Sequence, residues 1–320
     1  MFNPHAMFSG FLDFLNACIC SKRIIELNGR SYSVLDHLAD GGFSRIDLVE
    51  NQDTKQSFAL KTIECHSKED ETVAFEEINH YKSIDHELIV PLKADAKIGE
   101  IKDINETSQV LLLFPYYPRG SLHDELTRRA TSKDHLPSNL LLNIFHQICE
   151  GLSALHSLDP YPLAHRDIKP HNVLLTKDFA PVIIDLGSAT KARVMVKTSY
   201  EAKDIEDTAA KRSSITYRSP ELFHVNVNKE LDERTDIWSL GCLLYALCYF
   251  KSPFDSVYGR GDSVALAVQS ASNVNFPSDS PYPKELHELI EWMLTLDMSL
   301  RPYLPQIMKK VEELLKTDMI

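Results

Sequence analysis

In the stretch "AHRDIKPHNVLL", residues 164–175, a carboxylate, an ammonium and an amide fall close together as Asp167, Lys169 and Asn172. Those three side-chain types suit phosphoryl transfer. A carboxylate orients a hydroxyl and takes its proton, a cation offsets the charge of the moving phosphate, and an amide oxygen ligates a hard metal ion. The reaction asks for positioning and charge neutralisation more than for covalent chemistry. A His-Asp pair alone, such as His165 with Asp167, is as readily a core hydrogen bond as a catalytic one. The density of the grouping makes it a candidate centre.

A second candidate lies upstream. "LADGGFSRIDLVE", residues 38–50, sets Gly41-Gly42 before Phe43 and Ser44, with the alternating run Ile46-Asp47-Leu48-Val49 behind them. Glycine has no Cβ, so backbone N–H groups in such a loop can approach an anion closely. Where the phosphate-loop pattern G-x-G-x-x-G-x-V places glycines, this chain has Ala39, Gly41 and Ser44. Alone, the stretch reads as a turn, because short glycine patterns recur often. Beside a phosphate-transfer centre, the alternatives are a working loop or a relic.

The elements that must position these residues change character along the chain. "RSYSVLDHL", "SRIDLVE" and "SFALKTIE" read as strands around Gly-Gly and Asn-Gln-Asp turns. Residues 68–84, "KEDETVAFEEINHYKSI", read as an amphipathic helix with an acidic start. "ELIVPLKA" and "SQVLLLFPYY" read as two further strands. From about residue 121 the pattern turns helical, notably in the long apolar "SNLLLNIFHQICEGLSALHSL". The strand candidates "NVLLT" and "PVIIDLG" follow it. Residues 188–215 read as a surface loop or short helix, and the remainder as helices with proline-punctuated connections.

Composition narrows the class. The 320 residues are 43% apolar and 25% charged, ordinary globular values that allow a sizeable core. A net charge of −12 argues against a nucleic-acid binder, which normally carries a basic face. The six cysteines fit neither a disulfide framework nor a paired zinc site, so a reducing, intracellular setting is expected. Cys149, Cys242 and Cys248 sit in apolar helical context and read as core residues. No run reaches the 18 or so apolar residues that span a bilayer, and the N-terminus does not resemble a secretory signal.

With these motifs in hand, the chain resembles the protein-kinase family, and within it the Numb-associated branch. Further markers fall in order: Lys61 in "FALK", Glu77 on the predicted helix, Asp185-Leu186-Gly187, Ser219-Pro220-Glu221, Asp236 in "DIWSLG" and Arg301 in "SLRP". The resemblance spans about Arg30 to Leu315. It implies an α+β, bilobal kinase fold, with a five-stranded antiparallel N-lobe sheet plus one helix (30–114) and a larger helical C-lobe (115–316). Residues 1–29 and 317–320 would be tails.

The resemblance also implies roles, with ATP and Mg²⁺ as cofactors. Asp167 would orient the substrate hydroxyl, Lys169 would neutralise the transferring phosphoryl group, and Ser214 would contact both. Lys61 would hold the α/β-phosphates and pair with Glu77, while Asn172 and Asp185 would hold the metal. Ala39, Gly41, Gly42, Phe43, Ser44 and Ile46 would form the phosphate loop, read now as working. Ala59, Phe114, Pro115 and Tyr117 would surround adenine. Pro115 has no N–H, which costs nothing if only its carbonyl is used there. Arg166 is the usual partner for an activation-segment phosphate, with Ser213, Thr216 and Tyr217 as candidate acceptors. "EAKDIEDTAAKR" would form an extra helix in that segment.

The implied enzyme is a serine/threonine protein kinase acting as a monomer on protein substrates; the alternative is a pseudokinase scaffold. At the N-terminus Phe11, Leu12, Phe14, Leu15, Cys18 and Ile19 fall on one helical face. Cys18 and Cys20 resemble the branch's palmitoylation pair, although Phe2 replaces the glycine that myristoylation needs. A cytoplasmic, membrane-associated address at the Golgi or perinuclear region is expected by resemblance.

Overall fold

The computed structural model describes residues 23–42, 44–103, 106–270 and 274–316. Phe43, Cys18, Cys20 and the N-terminal apolar face lie outside the described residues. The chain divides into two compact units, one formed by the residues up to 71 together with 92–116, the other by 72–91 and those from 117 onward.

The first unit is a sheet of six antiparallel strands in the order β1-β2-β3-β4-β6-β5. They are β1 (Ile24–Leu27), β2 (Arg30–Asp40), β3 (Ser44–Asn51), β4 (Ser57–Cys65), β5 (Ala94–Ile98) and β6 (Ser108–Pro115). Five strands were expected. The sixth, β1, lies in the stretch assigned to a tail and turns into β2 through Asn28 (φ 50°) and Gly29 (φ 73°). Asn-Gly favours that left-handed pair, which matches the twist of a two-residue hairpin. Strand alternation buries Ile25, Leu27, Tyr32, Val49, Leu60, Leu111 and Leu113 as one core.

α1 (Lys68–Ser83) opens with three acidic residues, Glu69, Asp70 and Glu71, which suit the positive end of a helix. Asp70 accepts the N–H of His66 at 2.9 Å, and Ser67 Oγ accepts that of Asp70 at 3.1 Å. Glu71 is buried and ties the helix to two strands. Its carboxylate meets Lys97 Nζ of β5 at 2.6 Å, Ser108 Oγ of β6 at 2.6 Å and Lys68 Nζ at 3.0 Å. The bonds from Lys97 and Ser108 hold its pKa down to about 2.

The second unit takes in most of α1 and the helices α2 (Leu122–Ser132), α3 (Ser138–His156), α4 (Ser199–Arg212), α5 (Pro220–Phe223), α6 (Arg234–Tyr249), α7 (Asp255–Gly259), α8 (Val264–Gln269), α9 (Lys284–Met293) and α10 (Leu304–Lys316). α6 is buried from Thr235 to Tyr249 and forms the centre of this unit. "ELIVPLKA" is no strand of the sheet. Val90 donates to Ile183 O at 2.9 Å and Ile183 donates to Leu88 O at 2.8 Å, so those backbone groups belong to the helical unit. Pro91 follows, and β5 begins only at Ala94.

Cys65, Cys149, Cys242 and Cys248 are buried free thiols, each pushed up by burial. Among the described residues no helix is long and apolar enough to cross a membrane.

Because the folded carboxyl of Glu71 titrates below its ordinary value of 4.5, its stabilisation is complete above that pH and is lost as pH falls toward about 2. Glu71→Gln should therefore melt below wild type at neutral pH. Thermal melts across the acid range should show the gap holding down to about pH 4.5 and closing beneath it.

Candidate active site

The catalytic-loop candidates converge in the helical unit. After α3 the chain forms a two-residue strand, Leu163–Ala164, then a loop, a 3₁₀ turn at Pro170–Asn172 and the hairpin of Val173–Leu175 with Pro181–Ile183. Asp167 is buried, and both its oxygens are occupied. Oδ1 accepts the N–H of Ser214 at 2.7 Å. Oδ2 meets Lys169 Nζ at 2.7 Å and accepts Asn172 Nδ2 at 2.9 Å. Lys169 also donates to Ser214 Oγ at 2.7 Å. The Asn172 amide nitrogen donates in addition to the Asp167 carbonyl at 2.8 Å, so its amide oxygen is the atom left to face a metal. An amide oxygen and the Asp185 carboxylate are hard donors that suit Mg²⁺.

Fully buried Asp236 on α6 aims this loop. It accepts the N–H of His165 at 2.7 Å, the N–H of Arg166 at 2.8 Å and His156 Nε2 at 2.9 Å. Burial opposes its charge, yet these bonds hold its pKa below the ordinary value. Arg166 is left-handed, φ 67°, which a non-glycine residue adopts only when its surroundings impose it. His165 lies wholly inside. Its Nδ1 accepts the Asp167 N–H at 3.3 Å and its Nε2 donates to Ile184 O at 3.1 Å, which sets the proton on Nε2. His171, between Lys169 and Asn172, is pulled down to about 4 by burial, by the His123 ring stacked at 3.7 Å and by Lys169, so it is uncharged at neutral pH.

Asp185 is also left-handed, φ 65°, and its N–H donates to Tyr81 Oη of α1 at 2.8 Å. Glu77 lies one turn earlier on α1 and is buried. A Cβ on Gly187 would lie 3.0 Å from Glu77 Oε2 and 3.3 Å from Asp185 Oδ1, so only glycine fits between these carboxylates without displacing them.

The segment after Gly187 is latched to α4, whose Thr198–Glu201 capping box starts a helix two residues before the expected stretch. Arg212 Nη1 donates to Gly187 O at 3.0 Å, and Ser188 Oγ donates to Arg212 O at 2.7 Å. Arg218 donates to Ser213 Oγ at 2.7 Å, while Thr216 and Tyr217 are buried and unavailable for phosphorylation as placed. Arg301, fully buried, forks onto Glu221 at 2.8 and 3.1 Å.

The sheet unit carries the remaining candidates. Lys61 pairs with Ile46 of β3 and Leu112 of β6, and Ala59 with Phe114. Ala39 faces Ile46 across the β2–β3 hairpin. In the loop between them the Gly41 N–H donates to Ser44 O at 2.6 Å, so that amide closes the turn. Gly42 has open space where a Cβ would stand. Pro115 ends β6, where its missing N–H interrupts no ladder. Tyr117 belongs to the helical unit and accepts the N–H of Gly120 at 3.1 Å. The sequence singled out neither His156 nor Arg212; a histidine at a helix end and an arginine at the end of a mixed-charge helix carry no signal of their own.

The sequence matches the family described as "Protein kinase domain" over residues 32–311. It is 37% identical to Serine/threonine-protein kinase 16 of Rattus norvegicus, across 93% of this chain and 94% of that protein. The Homo sapiens Serine/threonine-protein kinase 16 is likewise 37% identical over the same shares. Serine/threonine-protein kinase ENV7 of Saccharomyces cerevisiae is 27% identical over 94% of this chain and 97% of its own.

Asp236→Asn keeps the volume but replaces one accepting oxygen with an NH₂ group that faces donors. It should destabilise the helical unit by about 3 kcal/mol, the usual loss when one partner of a buried charged network is removed. Urea unfolding of wild type and variant measures it.

Proposed function

The chain belongs to the protein kinase family, whose members use ATP and Mg²⁺, and we propose that it is a catalytically active serine/threonine kinase. The observation that carries this reading is the joined set Asp167, Lys169, Asn172 and Ser214. In the proposal Asp167 orients the substrate hydroxyl and accepts its proton as the new O–P bond forms and the bond to ADP breaks. Lys169, two residues on and bonded to Ser214, would neutralise the transferring phosphoryl group. Mg²⁺, when bound, would offset the negative charge of the ATP phosphates. Asn172 and Asp185 would hold it. Lys61 would hold the α/β-phosphates, with Ala39, Gly41, Gly42, Phe43 and Ser44 as the phosphate loop. Ala59, Phe114, Pro115 and Tyr117 would receive adenine. His171 places no negative charge near the acceptor, so a preference for arginine-rich substrates is not expected.

The enzyme would act as a monomer on protein hydroxyls, its own among them. Labelled MgATP with the protein itself and a generic basic protein tests this. Wild type should yield phosphoserine or phosphothreonine. Asp167→Asn should lower the rate by roughly 10²–10⁴-fold, the range for losing a positioned base. Folded wild-type protein that binds ATP and never transfers phosphate would be a scaffold instead.

We also propose that acylation of Cys18 and Cys20, with the apolar face of residues 11–19, attaches the chain to Golgi or perinuclear membranes from the cytoplasmic side. One acyl chain gives marginal binding, and a second signal makes it lasting. Cys18→Ser/Cys20→Ser should move the protein from the membrane to the soluble fraction of cells; unchanged partitioning would sink the idea.

A further inference from the structure

Tyr81 stands one helical turn after Glu77 on α1, so both side chains project from the same face. Its phenol oxygen accepts two consecutive backbone N–H groups, that of Asp185 at 2.8 Å and that of Leu186 at 3.3 Å. Tyr81 is 5% exposed and Leu186 1%, so water is not at hand to replace the oxygen. Asp185 precedes the short 3₁₀ turn Leu186–Ser188, and the first N–H groups of such a turn have no partner within it. Left without an acceptor in a buried place, each would carry a substantial desolvation penalty. Asp185 is left-handed as well, a conformation that persists only where neighbours over-determine it.

We propose that Tyr81 is a positioning residue for the metal site. By capping the Asp185 and Leu186 amides, its hydroxyl holds the Asp185 backbone in the conformation that presents the carboxylate to the metal. The position of α1 is thereby linked to metal affinity through one phenol oxygen. Glu77, a turn away and against Gly187, flanks the same segment and limits where it can move. The inference rests on the reading of Asp185 as a metal-holding carboxylate.

Tyr81→Phe removes the hydroxyl and keeps the ring in its packing. ATP binding to the full chain is measured by calorimetry, once with Mg²⁺ and once with a chelator in its place, for wild type, Tyr81→Phe and Asp185→Ala. Tyr81→Phe should bind metal-free ATP as wild type does and bind MgATP about tenfold more weakly, the factor that one lost buried hydrogen bond carries. Asp185→Ala should lose the whole gain that Mg²⁺ brings. Two results overturn the proposal while leaving the metal reading intact. In one, Tyr81→Phe keeps the full Mg²⁺ gain; in the other, it loses affinity equally with and without metal, as a packing defect would. An undiminished Mg²⁺ gain in Asp185→Ala overturns both readings together.

Discussion

Asp236 is the constraint on which the catalytic loop depends. A carboxylate wholly removed from water is costly unless its lone pairs are filled, and here two loop amides and His156 fill them. The exchange runs both ways. The carboxylate stays charged because donors surround it, and the loop takes its shape because those donors must converge on one point. Arg166 is driven into left-handed backbone by that convergence, which turns the next residue, Asp167, toward Lys169 and Ser214.

The same device recurs at the second chemical position. Arg166 and Asp185 are both left-handed without being glycine, a strain of roughly 1–3 kcal/mol each. Each is held by a side chain from a distant helix, Asp236 of α6 for one and Tyr81 of α1 for the other. Strain in the backbone of the candidate site is thus offset by hydrogen bonds supplied from rigid elements. The Arg212 clasp on Gly187 and Ser188 extends this to the segment that follows. The Arg301 fork on Glu221 anchors its far end.

Much of this was legible in the residues, and the reason is chemical. Phosphoryl transfer demands particular side chains at short spacing, so Asp167, Lys169 and Asn172 announce themselves within one loop. Helix α1 and strands β2 to β4 follow from periodicity, and the acidic start of α1 from its dipole. What escaped is non-local. A run such as "ELIVPLKA" has strand composition, but its hydrogen bonds go to Ile183, over ninety positions on, and composition cannot show that. β1 was hidden for a different reason: its Asn28-Gly29 turn is a strong hairpin signal, but the strand before it has only four residues and lies at the edge of a stretch with weak patterning. His156 reaches Asp236 across eighty positions, and nothing adjacent to it in sequence marks the contact.

The four described cysteines share a fate that bears on how this molecule can be handled. Each sits in the interior, where burial keeps the sulfur protonated, and a protonated thiol is a poor nucleophile. Oxidants and electrophiles meeting the folded protein therefore find no thiolate at Cys65, Cys149, Cys242 or Cys248. A thiol-directed dye applied without unfolding should therefore leave these four sulfurs unmarked.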